Sequence, residues 1–127
     1  MAAKTTIDLP LDVVRDTMIA SVRRDGPDLT ARQLAVLLIG YLDNTPPTVR
    51  GLARKLDVSK PAVSRILDRL TELGLAERKP DPEDRRSVLM TLTAGGRAYL
   101  KALGATMVAA AKSAPPKPAS GRPATTV

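Results

Sequence analysis

The sequence predicts a mainly α fold carrying one small β-hairpin, and three observations in the stretch from Thr48 to Thr93 point that way. In "TVRGLARKLDVSKPAVSRILDRLTELGL", apolar residues recur at helical spacing on both sides of a short break: Val49, Leu52, Ala53 and Leu56, then Val63, Ile66, Leu67, Leu70 and Leu73. The break itself, "DVS", puts Asp57 where a tight turn wants a residue tolerant of the left-handed region, with Val58 to fill the angle and small Ala53 to allow a close helix crossing. After Gly74, which suits a left-handed helix end, two short apolar runs flank a charged, proline-containing segment, as in an exposed hairpin. Two helices at a sharp turn followed by a hairpin make a winged helix-turn-helix.

The two helices carry their own punctuation. Thr48 is the expected N-cap of the first, and Ser59 of the second, with Pro61 in a first turn that has no use for its missing N–H. The second helix is expected over residues 60–73.

Upstream, Leu11, Val14, Met18 and Val22 form a stripe on a helix predicted to begin near Pro10 and end before Gly26-Pro27. The run "LTARQLAVLLIGYL" opens with a Thr30…Gln33 capping box and a Leu29 to Leu34 staple, which predicts a helix from Ala31 to Leu42; its near-continuous apolar character marks it as the central core helix. "DNTPPT" breaks it. Downstream, "LAERK" and "SVLMTLT" are the strand candidates, joined by a loop "PDPEDRR", with Val88, Met90 and Leu92 alternating as one buried face. A last helix starts at Thr93 and lines up Tyr99, Leu100, Leu103, Met107 and Ala110, weakened by Gly95, Gly96 and Gly104. The Leu100, Leu103, Met107 stripe fits either the chain's own core or a dimer seam. From Ser113, "SAPPKPASGRPATTV" has no apolar period and is expected to be disordered. The organisation predicted is one domain, residues 8–112, followed by a basic tail, 113–127.

Composition removes several function classes. With no Cys and no His in 127 residues, disulfides, thiol redox sensing, zinc sites and Cys or His nucleophiles are excluded, and no cofactor is expected. The longest apolar stretch, Leu34 to Leu42, is too short to cross a bilayer, and the N-terminus lacks the apolar core of a signal peptide. A cytoplasmic protein is expected, with no membrane partner. No Ser has a His base nearby, no carboxylates pair in a plausible cleft, and the glycines do not form a phosphate loop, so no enzyme is expected.

Charge is sorted along the chain. The net charge is +7; residues 1–47 hold 5 Lys and Arg against 6 Asp and Glu, residues 48–111 hold 12 against 7, and residues 112–127 hold 3 against none. An excess confined to the helix-turn-helix, hairpin and tail suits a polyanion on one face. Two Tyr and no Trp or Phe offer little for stacking on unpaired bases, so double-stranded DNA is the expected partner.

Over residues 29–103 the chain resembles the MarR-type (multiple antibiotic resistance regulator) winged-helix family. The resemblance rests on "LTARQLAVLLIGYL", the helix-turn-helix, Gly74-Leu75, and above all the hairpin tip Asp84-Arg85-Arg86-Ser87 followed by Leu92-Thr93 and Gly96. It implies a dimeric transcription regulator, and many such proteins answer small aromatic or phenolic ligands, although no residue of this sequence argues for an effector. The family follows the wing with a long helix and a further helix that build the dimer, where this sequence has one glycine-weakened helix and then the tail.

The DNA-binding residues follow from the helical wheel of residues 60–73. Val63, Ile66, Leu67 and Leu70 mark the buried side, leaving Pro61, Ser64, Arg65, Asp68 and Glu72 opposite, with Lys60 at the N-terminal end. Only the N-terminal half of that arc lacks acids, which suits a helix entering the major groove by its N-terminus. Arg65 is the expected base reader, through the fork a guanidinium offers guanine. Ser59, Lys60, Ala62 and Ser64 are expected at phosphates or flanking base edges, and Arg69 on the same helix joins the DNA-binding set. Asp68 and Glu72 are expected to pair with Arg69, Arg65 or a neighbouring helix. Thr48 and Arg50 are placed to hold a phosphate. In the wing, residues 80–87, adjacent side chains point opposite ways, so one of Arg85 and Arg86 probes while the other braces. The resemblance implies that Asp84 pairs with one arginine while the other enters the minor groove, and Arg85 is the expected probe. The function predicted is a sequence-specific DNA-binding regulator, a repressor acting as a homodimer. A protein-binding or architectural adaptor with little sequence preference is the alternative.

Overall fold

Capping chemistry sets most of the element boundaries in the computed structural model, which describes residues 5–113. The expected disorder of residues 114–127, with Lys117 and Arg122, lies outside the described residues. Five helices and one hairpin run in the order α1 (Asp8–Arg23), α2 (Ala31–Leu42), α3 (Val49–Leu56), α4 (Lys60–Glu72), β1 (Ala76–Asp81), β2 (Asp84–Leu92) and α5 (Ala94–Ser113). The chain divides into two compact units, residues 27–101 and, among the described residues, 5–26 with 102–113.

In the 27–101 unit, α2 opens on the predicted capping box. The Thr30 hydroxyl accepts from the Gln33 N–H (3.1 Å), and the Gln33 side-chain oxygen accepts from the Thr30 N–H (2.9 Å). Only Val36 and Leu37 of this helix are fully buried, whereas Tyr41 and Leu42 are exposed, so α2 is core along one edge and not throughout. α3 is capped by Thr48, whose hydroxyl accepts from the Gly51 N–H at 2.9 Å, and it ends at Asp57 in the left-handed region (φ 58°, ψ 48°). Ser59 caps α4 by accepting from the Ala62 N–H at 3.2 Å. Gly74, at φ +74°, reverses the chain after α4 while the Leu75 N–H donates to the Leu70 carbonyl, the six-to-one bond of a glycine-ended helix. Leu52, Val63, Leu67, Leu70 and Met90 fill the centre.

The hairpin differs from expectation at its tip. β1 and β2 pair antiparallel from Ala76 opposite Leu92 to Pro80 opposite Val88, then slip, so that Asp81 faces Asp84 across the two-residue turn Pro82-Glu83. The expected loop "PDPEDRR" is thus mostly strand. Pro80 is tolerated because β1 is an edge strand and the proline sits at the register shift, where no ladder N–H is required of it. Asp81 closes the turn by accepting from the Glu83 N–H at 2.9 Å. On its other edge β2 receives a short third partner. Thr48 bridges Leu89, and the Met90 N–H donates to the Pro47 carbonyl at 3.0 Å, tying the start of α3 to the wing.

The first turn of α5 docks on the chain reversal after α4. The Thr93 hydroxyl donates to the Gly74 carbonyl (2.6 Å) and accepts from the Gly96 N–H (3.0 Å), so one side chain caps the helix and fastens it. Gly96 permits the approach: a Cβ there would fall inside contact distance of the Leu75 carbonyl oxygen and 3.1 Å from its carbon. The close packing that a glycine allows here outweighs its cost to the helix.

In the other unit, α1 begins two residues before the predicted start. Thr5 and Asp8 exchange side-chain to backbone bonds (3.1 and 3.2 Å), and Pro10 falls in the first turn, where its N–H has no helical partner to lose. The predicted stripe of Leu11, Val14, Met18 and Val22 is 47 to 71% exposed, and Asp12 and Thr17 are the buried positions of the helix instead. Asp12 is held by Arg15 at 3.4 Å, and the Thr17 hydroxyl is spent on the Val13 carbonyl. The Arg15 guanidinium donates to the Asp16 carboxylate at 3.0 Å, which raises the guanidinium's pKa. In the final stretch of α5, Leu103 and Ala110 are buried, while Met107 and Val108 are exposed.

Candidate nucleic-acid interface

Within the 27–101 unit, α4 lies against α2, α3 and β1, and burying one face of it decides what the other can offer. Ala62, Val63, Ile66, Leu67 and Leu70 are turned inward. Ala62, expected at phosphates or base edges, is corrected by this burial: it is 8% exposed, because it stands one turn before Ile66 and shares that residue's face. Lys60, Arg65, Asp68, Arg69 and Glu72 face solvent, with Ser64 half-buried at the border.

The acids and bases on that face are not equivalent. Glu72 pairs with Arg69 at 3.1 Å within the helix, as expected. Asp68 does not take a partner from α4. Its carboxylate meets the Arg78 guanidinium of β1 at 2.7 Å, and the same nitrogen of Arg78 donates to the Ser64 carbonyl at 2.9 Å. Arg65, one residue beyond Ser64, is exposed and engages no acid of the described chain. The cation at the centre of the exposed arc is thus left available, while the two acids beside it are occupied.

Thr48 and Ser59 use their oxygens as cap acceptors, and each keeps a hydroxyl proton to donate elsewhere. Arg50, in the first turn of α3, and Lys60, in the first turn of α4, are exposed beside N–H groups that the helix geometry leaves pointing outward. An anion placed there meets a backbone dipole and a side-chain cation together.

At the wing, Asp84 braces the tip in a way the sequence did not foretell. Its carboxylate accepts from the main-chain N–H of Arg86 at 3.0 Å and holds no guanidinium. Both Arg85 and Arg86 are therefore exposed cations, on adjacent residues of β2. The expectation that one of them is consumed as a brace is corrected: the brace uses backbone, and both side chains remain free to reach.

Arg78 is the residue that sequence reasoning missed. Its signal was the strand register, since it stands directly opposite the fully buried Met90, and opposed residues of an antiparallel pair project to the same side of the ribbon.

No helix among the described residues is long and apolar enough to cross a membrane, and no cluster of acids there could hold a metal. The arrangement can present a row of cations, flanked by two helix N-termini and a two-arginine hairpin tip, to a polyanion.

Comparison with known proteins places this architecture. Residues 28–87 match the model of the MarR family. The multiple antibiotic resistance protein MarR of Escherichia coli is 49% identical over 71 residues, which cover 56% of this chain and 49% of that protein. The transcriptional repressor NicR of Pseudomonas putida is 34% identical over 89 residues, covering 70% and 56%. Among solved structures, a mutant of E. coli MarR complexed with operator DNA superposes with a TM-score of 0.62 at 28% identity, over 84% of this chain and 70% of that one. The chain spans about half to three fifths of the length of the curated relatives it matches. Its helix-turn-helix, its two-stranded wing and the match over residues 28–87 together make this chain similar to the MarR family of winged-helix transcriptional regulators.

Proposed function

We propose that this protein is a sequence-specific double-stranded DNA-binding regulator that represses transcription as a homodimer in the cytoplasm. The observation that carries the reading is the sorting of charge on one unit: Arg50, Lys60, Arg65, Arg85 and Arg86 are exposed, while Asp68, Glu72 and Asp84 are held by internal bonds. On this reading the N-terminal half of α4 enters the major groove, with Arg65 on a base edge and Ser59, Lys60 and Ser64 around it. Thr48 and Arg50 hold phosphate and set the register. Arg85 and Arg86 at the wing tip reach the minor groove, where narrow A·T-rich stretches attract arginine. Arg69 is paired with Glu72 and serves as a flanking phosphate contact at most. No enzymatic step and no cofactor enter this reading.

The relatives support the DNA partner and the sign of regulation: one is named a repressor, and another is seen complexed with operator DNA. A second copy of the chain is supported by the exposed apolar side chains of α1 (Leu11, Val14, Met18 and Val22) and by Met107 and Val108 of α5. Two-fold pairing would set two recognition helices about 34 Å apart and favour an inverted repeat.

The test is selection of bound sequences from a random duplex pool at near-physiological salt, followed by affinity for the enriched site and a scrambled control. An enriched inverted repeat bound about a thousandfold more tightly than the control is expected. Binding that is indifferent to sequence and falls steeply with salt would instead favour the architectural or adaptor reading.

A further inference from the structure

The geometry points to Arg78 as a positioning residue that keeps the recognition helix competent to read bases, by drawing Asp68 away from Arg65. The inference rests on the DNA-reading role proposed for α4. Arg65 and Asp68 are three residues apart on the exposed side of one helix, the spacing at which a guanidinium and a carboxylate ordinarily meet. They do not meet here. Asp68 is instead taken by Arg78, 2.7 Å away, and that same guanidinium nitrogen donates to the Ser64 carbonyl at 2.9 Å.

Three features make this more than a surface ion pair. First, Arg78 reaches α4 from a fixed base: it is the cross-strand partner of fully buried Met90, and α4 packs against β1. Its side chain is 35% exposed, against 54% for the side chain of Arg69 on α4. Second, it bonds a backbone carbonyl as well as a carboxylate. That second bond sets the helix's rotation about its own axis relative to the wing, which a carboxylate on a rotatable side chain cannot do alone. Third, its two acceptors belong to Ser64 and Asp68, one helical turn apart on one flank of α4, so the brace runs alongside the residue proposed to read the base.

A merely stabilising role would lower affinity for all DNA in step with folding. The role inferred here predicts a loss of discrimination that a second substitution repairs. In Arg78→Gln the charge that holds Asp68 is gone, and Asp68 turns to Arg65. The ratio of affinities for the pool-selected duplex and its scrambled control is expected to fall on the order of tenfold, within the range that one bidentate base contact contributes. Adding Asp68→Asn removes the competing charge, so the double variant should recover most of the ratio, to within about threefold of the unsubstituted protein. Thermal melting of all three proteins separates these effects from unfolding.

Two results would overturn the inference: an unchanged ratio in Arg78→Gln, or a lowered ratio that Asp68→Asn leaves where it was. If instead Arg78 touches phosphate directly, Arg78→Gln weakens both duplexes in parallel and lowers the salt slope by about one, and the inference fails. A parent protein with no sequence preference at all would sink the DNA-reading proposal itself, a result distinguishable from the others because it appears before any substitution is made.

Discussion

A single methyl group added at two glycines of α5 should act in opposite directions. At Gly96, a Cβ would sit well inside the 3.0 Å that real Cβ atoms do not cross, against the Leu75 carbonyl oxygen, with the Leu75 carbon at 3.1 Å and Leu92 Cγ at 3.3 Å. Two of those neighbours are backbone and cannot rotate aside. Restoring an ordinary carbon to oxygen contact of about 3.3 Å requires the helix start to retreat by roughly 1 Å. That retreat stretches the Thr93 to Gly74 bond (2.6 Å) and the Thr93 N–H to Leu75 carbonyl bond (3.2 Å). Overpacking costs about 1–3 kcal/mol and each weakened bond about 0.5–1.5, against a gain of about 1 in helix propensity. Gly96→Ala should therefore destabilise by about 1–5 kcal/mol. At Gly104 nothing lies within 4 Å of the added Cβ, so Gly104→Ala should stabilise by about 1 kcal/mol. Urea denaturation of both variants at one protein concentration reads the pair, because association would otherwise shift the midpoints. Gly96→Ala as stable as its parent, or both variants moving the same way, would refute the docking argument.

Other expectations follow from the same geometry. Arg65→Ala should relax base preference at one position of each half-site and cost about 1–3 kcal/mol, while Arg50→Ala should weaken binding to selected and scrambled duplexes alike; affinities for both duplexes check the contrast. Asp57→Ala places a non-glycine side chain without polar support at φ 58° and should cost about 1 kcal/mol, whereas Asp57→Gly should be neutral or better, as urea midpoints would show. Met18→Asp puts a charge on the exposed stripe of α1 and should shift the protein to monomer in sedimentation while leaving its helical circular dichroism intact. A dimer of unchanged strength would remove that face from the proposed interface.

How much was readable in advance depends on the distance over which each feature is decided. Thr30 with Gln33, Thr48, Asp57, Ser59 and Gly74 do what the sequence says because a cap or a left-handed turn is settled within four residues. Ala62 was misplaced because four well-spaced apolar residues suffice to define a buried side and leave its width open, and an alanine fits either side of the border. The wing tip was misread because prolines and charges usually mean a loop, while here Pro80 lies at a register shift on an edge and Asp81 and Asp84 still pair. Arg78 was missed for a different reason: its place opposite Met90 hints at its side of the ribbon, but its partners lie 10 and 14 residues back, and only the packing of β1 on α4 brings them together. The α1 stripe was legible as apolar and periodic, but periodicity does not say whose surface will cover it.

The joint at the wing tip makes the hairpin's reach a quantity that can be edited. β1 and β2 meet across only Pro82 and Glu83, and the two arginines stand on adjacent residues just beyond. Adding two residues to each strand at the register shift, between that tip and the paired segment, would carry both arginines about 6–7 Å further out. A chain of this design can therefore tune how far its hairpin reaches by insertions at one joint behind the tip, leaving the proposed recognition helix untouched.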